Sequence, residues 1–139
     1  MSAPTYVRWF REIRLEDVQL VGGKNASLGE LYSVLSSEGV RVPNGFALTA
    51  MSYSDCLEKA NALPGLRELL DGAGADDVEA LARCAAAARK IVYDATGDDG
   101  LRAQTAAAYR KLEEEYGAGV AVAVRSSATA EDLPSASFA

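Results

Sequence analysis

Leu20-Val21-Gly22-Gly23-Lys24-Asn25-Ala26-Ser27-Leu28-Gly29-Glu30 is the stretch on which the reading of this chain turns. Leu28, Leu31, Tyr32 and Leu35 recur at i, i+3, i+4 and i+7, the spacing of one helix face. Asn25 or Ser27 can cap that helix, Ser27 and Glu30 stand at capping-box spacing, and Gly39 ends it. A glycine-rich turn therefore opens directly into a helix N-terminus. Such a terminus presents unsatisfied N–H groups and about half a positive charge, and glycines let phosphate oxygens approach the backbone. Lys24 adds a full charge on the first turn. The pattern is not a Walker A loop: Val18 stands where that motif has its upstream glycine, and Asn25 follows the lysine in place of Ser or Thr. A capped helix whose lysine is merely solvated fits the same residues.

Outward from this turn, residues 6–10, Tyr-Val-Arg-Trp-Phe, read as a short strand, with Trp9 and Phe10 as core candidates. Downstream, Val42-Pro43-Asn44-Gly45 signals a turn before a second strand over 46–49. Helices are expected over about 52–60 and from Pro64 to Leu70. An alanine-rich helical hairpin is expected over about 76–117. One stripe there is Val78, Leu81, Ala82, Ala85, Ala88, Ile91 and Val92; the other is Leu101, Thr105, Ala108, Tyr109, Leu112 and Tyr116. Glu113-Glu114-Glu115 reads as a solvated helix face.

The final stretch changes character. Val120, Val122 and Val124 alternate with Ala121, Ala123 and Arg125, the pattern of a strand with the arginine on its alanine face. Three hydroxyl residues follow: Ser126, Ser127 and Thr129. Strand ends with small polar residues are where α/β proteins place ligand contacts. An arginine that pins a turn by pairing with Glu131 or Asp132 fits equally well. Those two carboxylates can also be read as a magnesium pair, although an exposed loop pair is the commoner arrangement, and no metal site is assigned.

Composition bounds these alternatives. A chain of 139 residues, 49% hydrophobic and 24% charged, has the make-up of one globular domain. The net charge is −6, carried almost wholly by the middle helices, which argues against a general nucleic-acid binder. It does not argue against a phosphate site around Lys24 and Arg125. Charges beyond a Debye length of ~8 Å are screened, whereas a contact at 4 Å is worth about 4 kcal/mol at an effective dielectric of 20. The chain has no histidine, so imidazole chemistry cannot arise within these residues. Cys56 and Cys84 lack CxxC spacing and read as reduced thiols. With neither a secretory signal nor an apolar run of membrane length, a cytoplasmic setting without membrane partners is expected.

The blocks Val7-Arg8-Trp9-Phe10, Leu20 to Leu31 and Val42-Pro43-Asn44-Gly45-Phe46 resemble the start of the phosphoenolpyruvate synthase (pyruvate, water dikinase) family. Val124-Arg125-Ser126-Ser127-Ala128-Thr129-Ala130-Glu131-Asp132-Leu133-Pro134, with Ala136-Ser137-Phe138-Ala139, resembles the same family further along. Pyruvate phosphate dikinases and rifampicin phosphotransferases share these blocks. The resemblance implies an α+β fold, the N-terminal portion of an ATP-grasp domain. It implies a parent enzyme that makes phosphoenolpyruvate, AMP and phosphate from pyruvate, ATP and water through a phosphohistidine. Lys24 and Arg125 match the family's lysine and arginine on the nucleotide phosphates, with Gly22, Gly23, Ser126 and Ser127 as phosphate-loop neighbours. ATP is the implied ligand. Magnesium ligands, the phosphohistidine and the pyruvate site are expected outside these residues, so no catalytic residue is assigned and the 139-residue chain is expected to be inactive. A non-catalytic relic that binds nucleotide or a partner protein is the other reading.

Overall fold

The computed structural model describes residues 5–72 and 77–129. Within them the chain is α+β and mostly helical: two short strands and six α-helices, with two single-turn 3-10 segments at Phe10–Glu12 and Leu15–Asp17. The chain divides into two compact units. One comprises residues 1–51 and 103–139, the other residues 52–102.

In the first unit, β1 (Val7–Trp9) and β2 (Phe46–Leu48) pair antiparallel, with Val7 opposite Leu48, Arg8 opposite Ala47 and Trp9 opposite Phe46. The Trp9 and Phe46 rings meet edge to face, centroids 5.6 Å apart, the cross-strand aromatic contact favoured on a sheet face. Beyond the ladder, Thr49 N–H donates to Tyr6 O at 2.9 Å, and the Tyr6 N–H reaches Gln104 Oε1 at 2.8 Å. The 3-10 turns after β1 are held by acidic side chains. Glu12 accepts the Trp9 N–H at 2.9 Å, and Asp17 accepts that of Arg14 at 2.8 Å.

Two helices follow, α1 (Val18–Val21) and α2 (Gly23–Ser37). The core of this unit gathers Ile13, Val21, Ala26 and Ala47, with Phe10, Val18 and Leu20 packed against it. The expected start of α2 needs correction. The helix begins at Gly23, capped by the backbone of Gly22, and no side chain caps it. Asn25 instead lies inside the first turn, and the Ser27/Glu30 capping box is not used. The buried face differs too. Gly23, Ala26 and Gly29 are buried, whereas Leu28, Tyr32 and Leu35 are half-buried and Leu31 is exposed. Small residues win that face because the approach is tight: a Cβ at Gly29 would lie 2.5 Å from Ile13 Cβ. The C-terminus behaves as expected. Gly39, at φ +79°, donates to Ser36 O while Val40 N–H reaches Leu35 O at 2.9 Å, a Schellman closure.

The second unit contains most of α3 (Ala50–Lys59), then α4 (Leu63–Asp71), α5 (Val78–Ala95) and the start of α6 (Asp99–Tyr116). Asn61, at φ +48°, closes α3 as a glycine would. Ala62 N–H returns to Leu57 O at 2.9 Å, and both side chains join the core with Ala95, Leu66, Ile91 and Val92. The stripe read on α5 is thus exposed over its first turns and half-buried from Ala85 onward. Val78 is 78% exposed and Leu81 46%. On α6, Leu101, Ala108 and Leu112 are buried, as their spacing requires.

Residues 120–125 do not form the expected strand. They lie in irregular chain, Val124 is 93% exposed, and Arg125 is exposed with it. Alternation equips a segment to be a strand, but a strand exists only where a neighbour exchanges backbone hydrogen bonds with it. Among the described residues β1 and β2 pair only with each other. The segment is attached instead by Tyr109, whose hydroxyl donates to Val120 O at 2.8 Å, and by Glu113, which accepts the Gly119 N–H at 2.8 Å.

Candidate functional site

The glycine turn owes its shape to one residue. Gly22 sits at φ +83°, ψ 159°, a region essentially restricted to glycine, and this break separates α1 from α2. Each helix keeps a bond across it: Gly22 N–H donates to Val18 O at 2.8 Å and Ala26 N–H to Gly22 O at 3.0 Å. The break leaves the Val21 carbonyl at the C-terminus of α1 without a helical partner. Asn25 Nδ2 donates to it at 2.8 Å and Ser127 Oγ at 3.1 Å.

The second of those bonds joins the two motifs singled out in the sequence. Ser127 lies 106 residues beyond Val21. Next to it, Gly23 N–H turns toward Ala128 O at 3.4 Å, at the long end of hydrogen bonding. Lys24 follows Gly23 directly and is half-buried on the first turn of α2; Arg125 precedes Ser127 by two residues and is exposed. Each cation therefore hangs within about 7 Å of backbone from a joint that is itself in contact. Ser126 is exposed, whereas Ser127 is half-buried against the turn. Glu131 and Asp132, the alternative partners for Arg125, lie outside the described residues, as does the segment from Ala136 to Ala139.

Several supporting residues were not legible as such. Asn25 was a candidate cap and proves to be a carbonyl clamp. Glu114 and Glu115 lie on an exposed helix face, as read, but two of the three glutamates also anchor loops: Glu113 holds Gly119, and Glu115 accepts from Asn44 Nδ2 at 2.8 Å. Tyr116 accepts the Asn44 N–H at 2.7 Å, and burial pushes its hydroxyl pKa up despite that bond, with nearby Glu115 acting in the same direction. The only available signal was the Pro-Asn-Gly turn, whose exposed N–H groups need acceptors.

The second unit holds a shallow cleft of about 320 Å³, lined among others by Cys56, Lys59, Asp94 and Asp98. Asp98 accepts the Leu101 N–H at 2.9 Å, capping α6, and pairs with Lys59 at 3.5 Å. The backbone bond from Leu101, with help from Lys59, holds its pKa below the usual carboxylate range. Burial raises the Cys56 thiol, and Asp98 adds to that effect. Among the described residues no group of three or more Cys, Asp or Glu is arranged to hold a metal ion. No helix among them is long and apolar enough to cross a membrane.

The Ser127–Val21 bond sets the backbone that carries Arg125 beside the turn that carries Lys24, and the class of the protein follows from its relatives. Residues 18–139 match the pyruvate phosphate dikinase AMP/ATP-binding domain family, and the chain belongs to it. More particularly, it is 49% identical over 142 residues to phosphoenolpyruvate synthase of Neisseria meningitidis serogroup B, covering 99% of this chain and 17% of that protein. It is 44% identical over 138 residues to phosphoenolpyruvate synthase of Synechocystis and 44% over 133 residues to that of Escherichia coli K12. Each of these two alignments covers 96% of this chain and 17% of the relative. The chain thus spans 17% of the length of these curated relatives.

Proposed function

We propose that this chain is the N-terminal portion of the ATP-grasp nucleotide-binding domain of an ATP-dependent dikinase. The parent reaction yields phosphoenolpyruvate, AMP and phosphate from pyruvate, ATP and water. This portion contributes Lys24 and Arg125 to the ATP phosphates. Their task is electrostatic: in phosphoryl transfer most of the catalysis is positioning and stabilisation of charge on the transferred group. Magnesium accompanies the nucleotide in this proposal, and no ligand for it is assigned among the described residues. Pyruvate engages other parts of the parent protein.

The observation that carries the proposal is the bond from Ser127 Oγ to Val21 O, which brings the Arg125 segment onto the Gly22-Gly23-Lys24 turn. Isothermal calorimetry of the 139-residue chain with MgATP tests it. Charge-assisted contacts are worth about 1.5–3 kcal/mol, so Lys24→Ala and Arg125→Ala are each expected to weaken binding about ten- to hundredfold. Equal heats for all three proteins would overturn the assignment.

A further inference from the structure

We infer that Gly22, Asn25 and Ser127 form a joint that positions Arg125, and that the two glycines of the turn serve as the seat of this joint rather than as a phosphate cradle. Three independent features of the turn point the same way. Gly22 has no room for a side chain, because a Cβ there would lie 2.2 Å from Ser127 Oγ and 3.0 Å from the backbone of Ala128. The space a phosphate oxygen would need beside this glycine is therefore filled by residues 127–128 of the same chain. The Gly23 N–H, a first-turn donor of α2, is already aimed at the Ala128 carbonyl. The Val21 carbonyl, orphaned by the helix break, is closed by Asn25 Nδ2 from within α2 and by Ser127 Oγ from the incoming segment.

The division of labour follows from these contacts. Asn25 fixes the direction of the Val21 carbonyl, and Ser127 reads that direction. The Ser127 hydroxyl is thereby committed to the protein, and the exposed Ser126 is the hydroxyl left facing outward. Residues 120–125 carry no ladder to fix them, so the bond at Ser127 restrains the backbone from which Arg125 projects. Ser127 and Asn25 are positioning residues, and the consequence for ATP rests on the nucleotide reading above.

The test separates the joint from that reading. Amide hydrogen exchange of the ATP-free chain is followed in peptides covering residues 20–26 and 120–129, with β1 as internal reference. A neutral hydrogen bond is worth about 1 kcal/mol, so Ser127→Ala is expected to speed exchange about fivefold in both peptides and leave β1 unchanged. Ser127→Thr, which keeps the hydroxyl, and Ser126→Ala are expected to match wild type. Unchanged exchange in Ser127→Ala overturns the joint, whether or not ATP binds. In MgATP calorimetry Ser127→Ala is expected to weaken binding about fivefold, and to have no further effect in the Arg125→Ala background, since it acts through that arginine. Full additivity of the two substitutions overturns the positioning role. If wild type gives no heat with MgATP, the nucleotide reading fails, and faster exchange in Ser127→Ala still supports the joint.

Discussion

Gly29 of α2 lies so close to Ile13 of the linker before α1 that a Cβ at position 29 would stand 2.5 Å from Ile13 Cβ and 2.8 Å from Ile13 O. Ile13 is 1% exposed and belongs to the core with Val21, Ala26 and Ala47. Arg14 locks the same linker, donating from its guanidinium to the carbonyls of Arg11 and Ile13 and to Ser33 Oγ at 2.7 Å. The Ser33 bond ties the linker to α2 one turn beyond Gly29, which opposes the separation that a methyl group at position 29 would require.

Gly29→Ala is therefore expected to destabilise the chain by about 1–3 kcal/mol through overpacking. Helix propensity works the other way by roughly 1 kcal/mol and should lose. Urea unfolding measures the difference. Ile13→Ala keeps the Cβ and the carbonyl oxygen that crowd position 29, so it is expected to cost stability by itself and not to rescue Gly29→Ala. A Gly29→Ala protein at or above wild-type stability contradicts the packing described.

The same contact marks the boundary of what could be read in advance. The two paired strands, the turns and most helices were legible because their signals are local: Pro64 within the first turn of α4, or the Leu101, Ala108 and Leu112 spacing of α6. The buried face of α2 was not, because hydrophobic periodicity points to Leu28 and Leu35, whereas close approach selects Gly23, Ala26 and Gly29. Its start was misplaced because the cap is backbone at Gly22, with no side chain to betray it. The two cationic motifs were visible as motifs. Their joint was not, since a serine bonded to a carbonyl 106 residues away leaves no trace in spacing. The alternation over 120–125 records a capacity to pair, and pairing depends on a partner that local sequence does not name.

Asp98 gives a pH dependence whose sign is fixed by its contacts. Its carboxylate accepts the Leu101 N–H and faces Lys59, and its folded pKa is depressed. The stability it contributes is present above the unfolded value near 3.9 and is lost as pH falls through the lower folded value. Asp98→Asn keeps an N-cap acceptor but cannot titrate. In urea unfolding, the gap between wild type and Asp98→Asn is expected to narrow as pH falls from about 6 to about 3. A constant gap across that range would remove Asp98 from the acid response.

Tyr116 should act at the opposite end of the pH scale. Its hydroxyl accepts the Asn44 N–H at 2.7 Å, and its pKa is raised by burial first and by Glu115 next. Stability from a raised group is complete below the unfolded value near 10 and is lost as pH rises through the higher folded value. Tyr116→Phe leaves the Asn44 N–H without this acceptor and is expected to cost about 1 kcal/mol at neutral pH. That cost should shrink above about pH 10, read by urea unfolding at two pH values. A cost that grows with pH would contradict the assignment.

The two thiols are expected to differ in reactivity. Cys56 is 1% exposed and its pKa is raised by burial and by Asp98, while Cys84 is only half-buried. The thiolate is the nucleophile, so both access and ionisation disfavour Cys56. Iodoacetamide near pH 8 should label Cys84 first, with Cys56 reacting only on unfolding. Mass spectrometry of a time course reads the order, and equal rates would contradict the burial of Cys56.

Catalysis by these 139 residues is the last expectation, and it follows from their having no histidine. A relay that moves a phosphoryl group from ATP to pyruvate through an imidazole needs a histidine, and the 139 residues contain none. Serine and lysine side chains can stabilise phosphate charge in general, but at neutral pH neither replaces a histidine as a carrier that accepts and releases phosphoryl groups with comparable ease. Incubation of the chain with MgATP and pyruvate is expected to yield no phosphoenolpyruvate above a no-protein control, followed by phosphorus NMR or a coupled assay. Product formation that disappears in Lys24→Ala would show that the chain completes the transfer without an imidazole, and would overturn its reading as a binding portion alone.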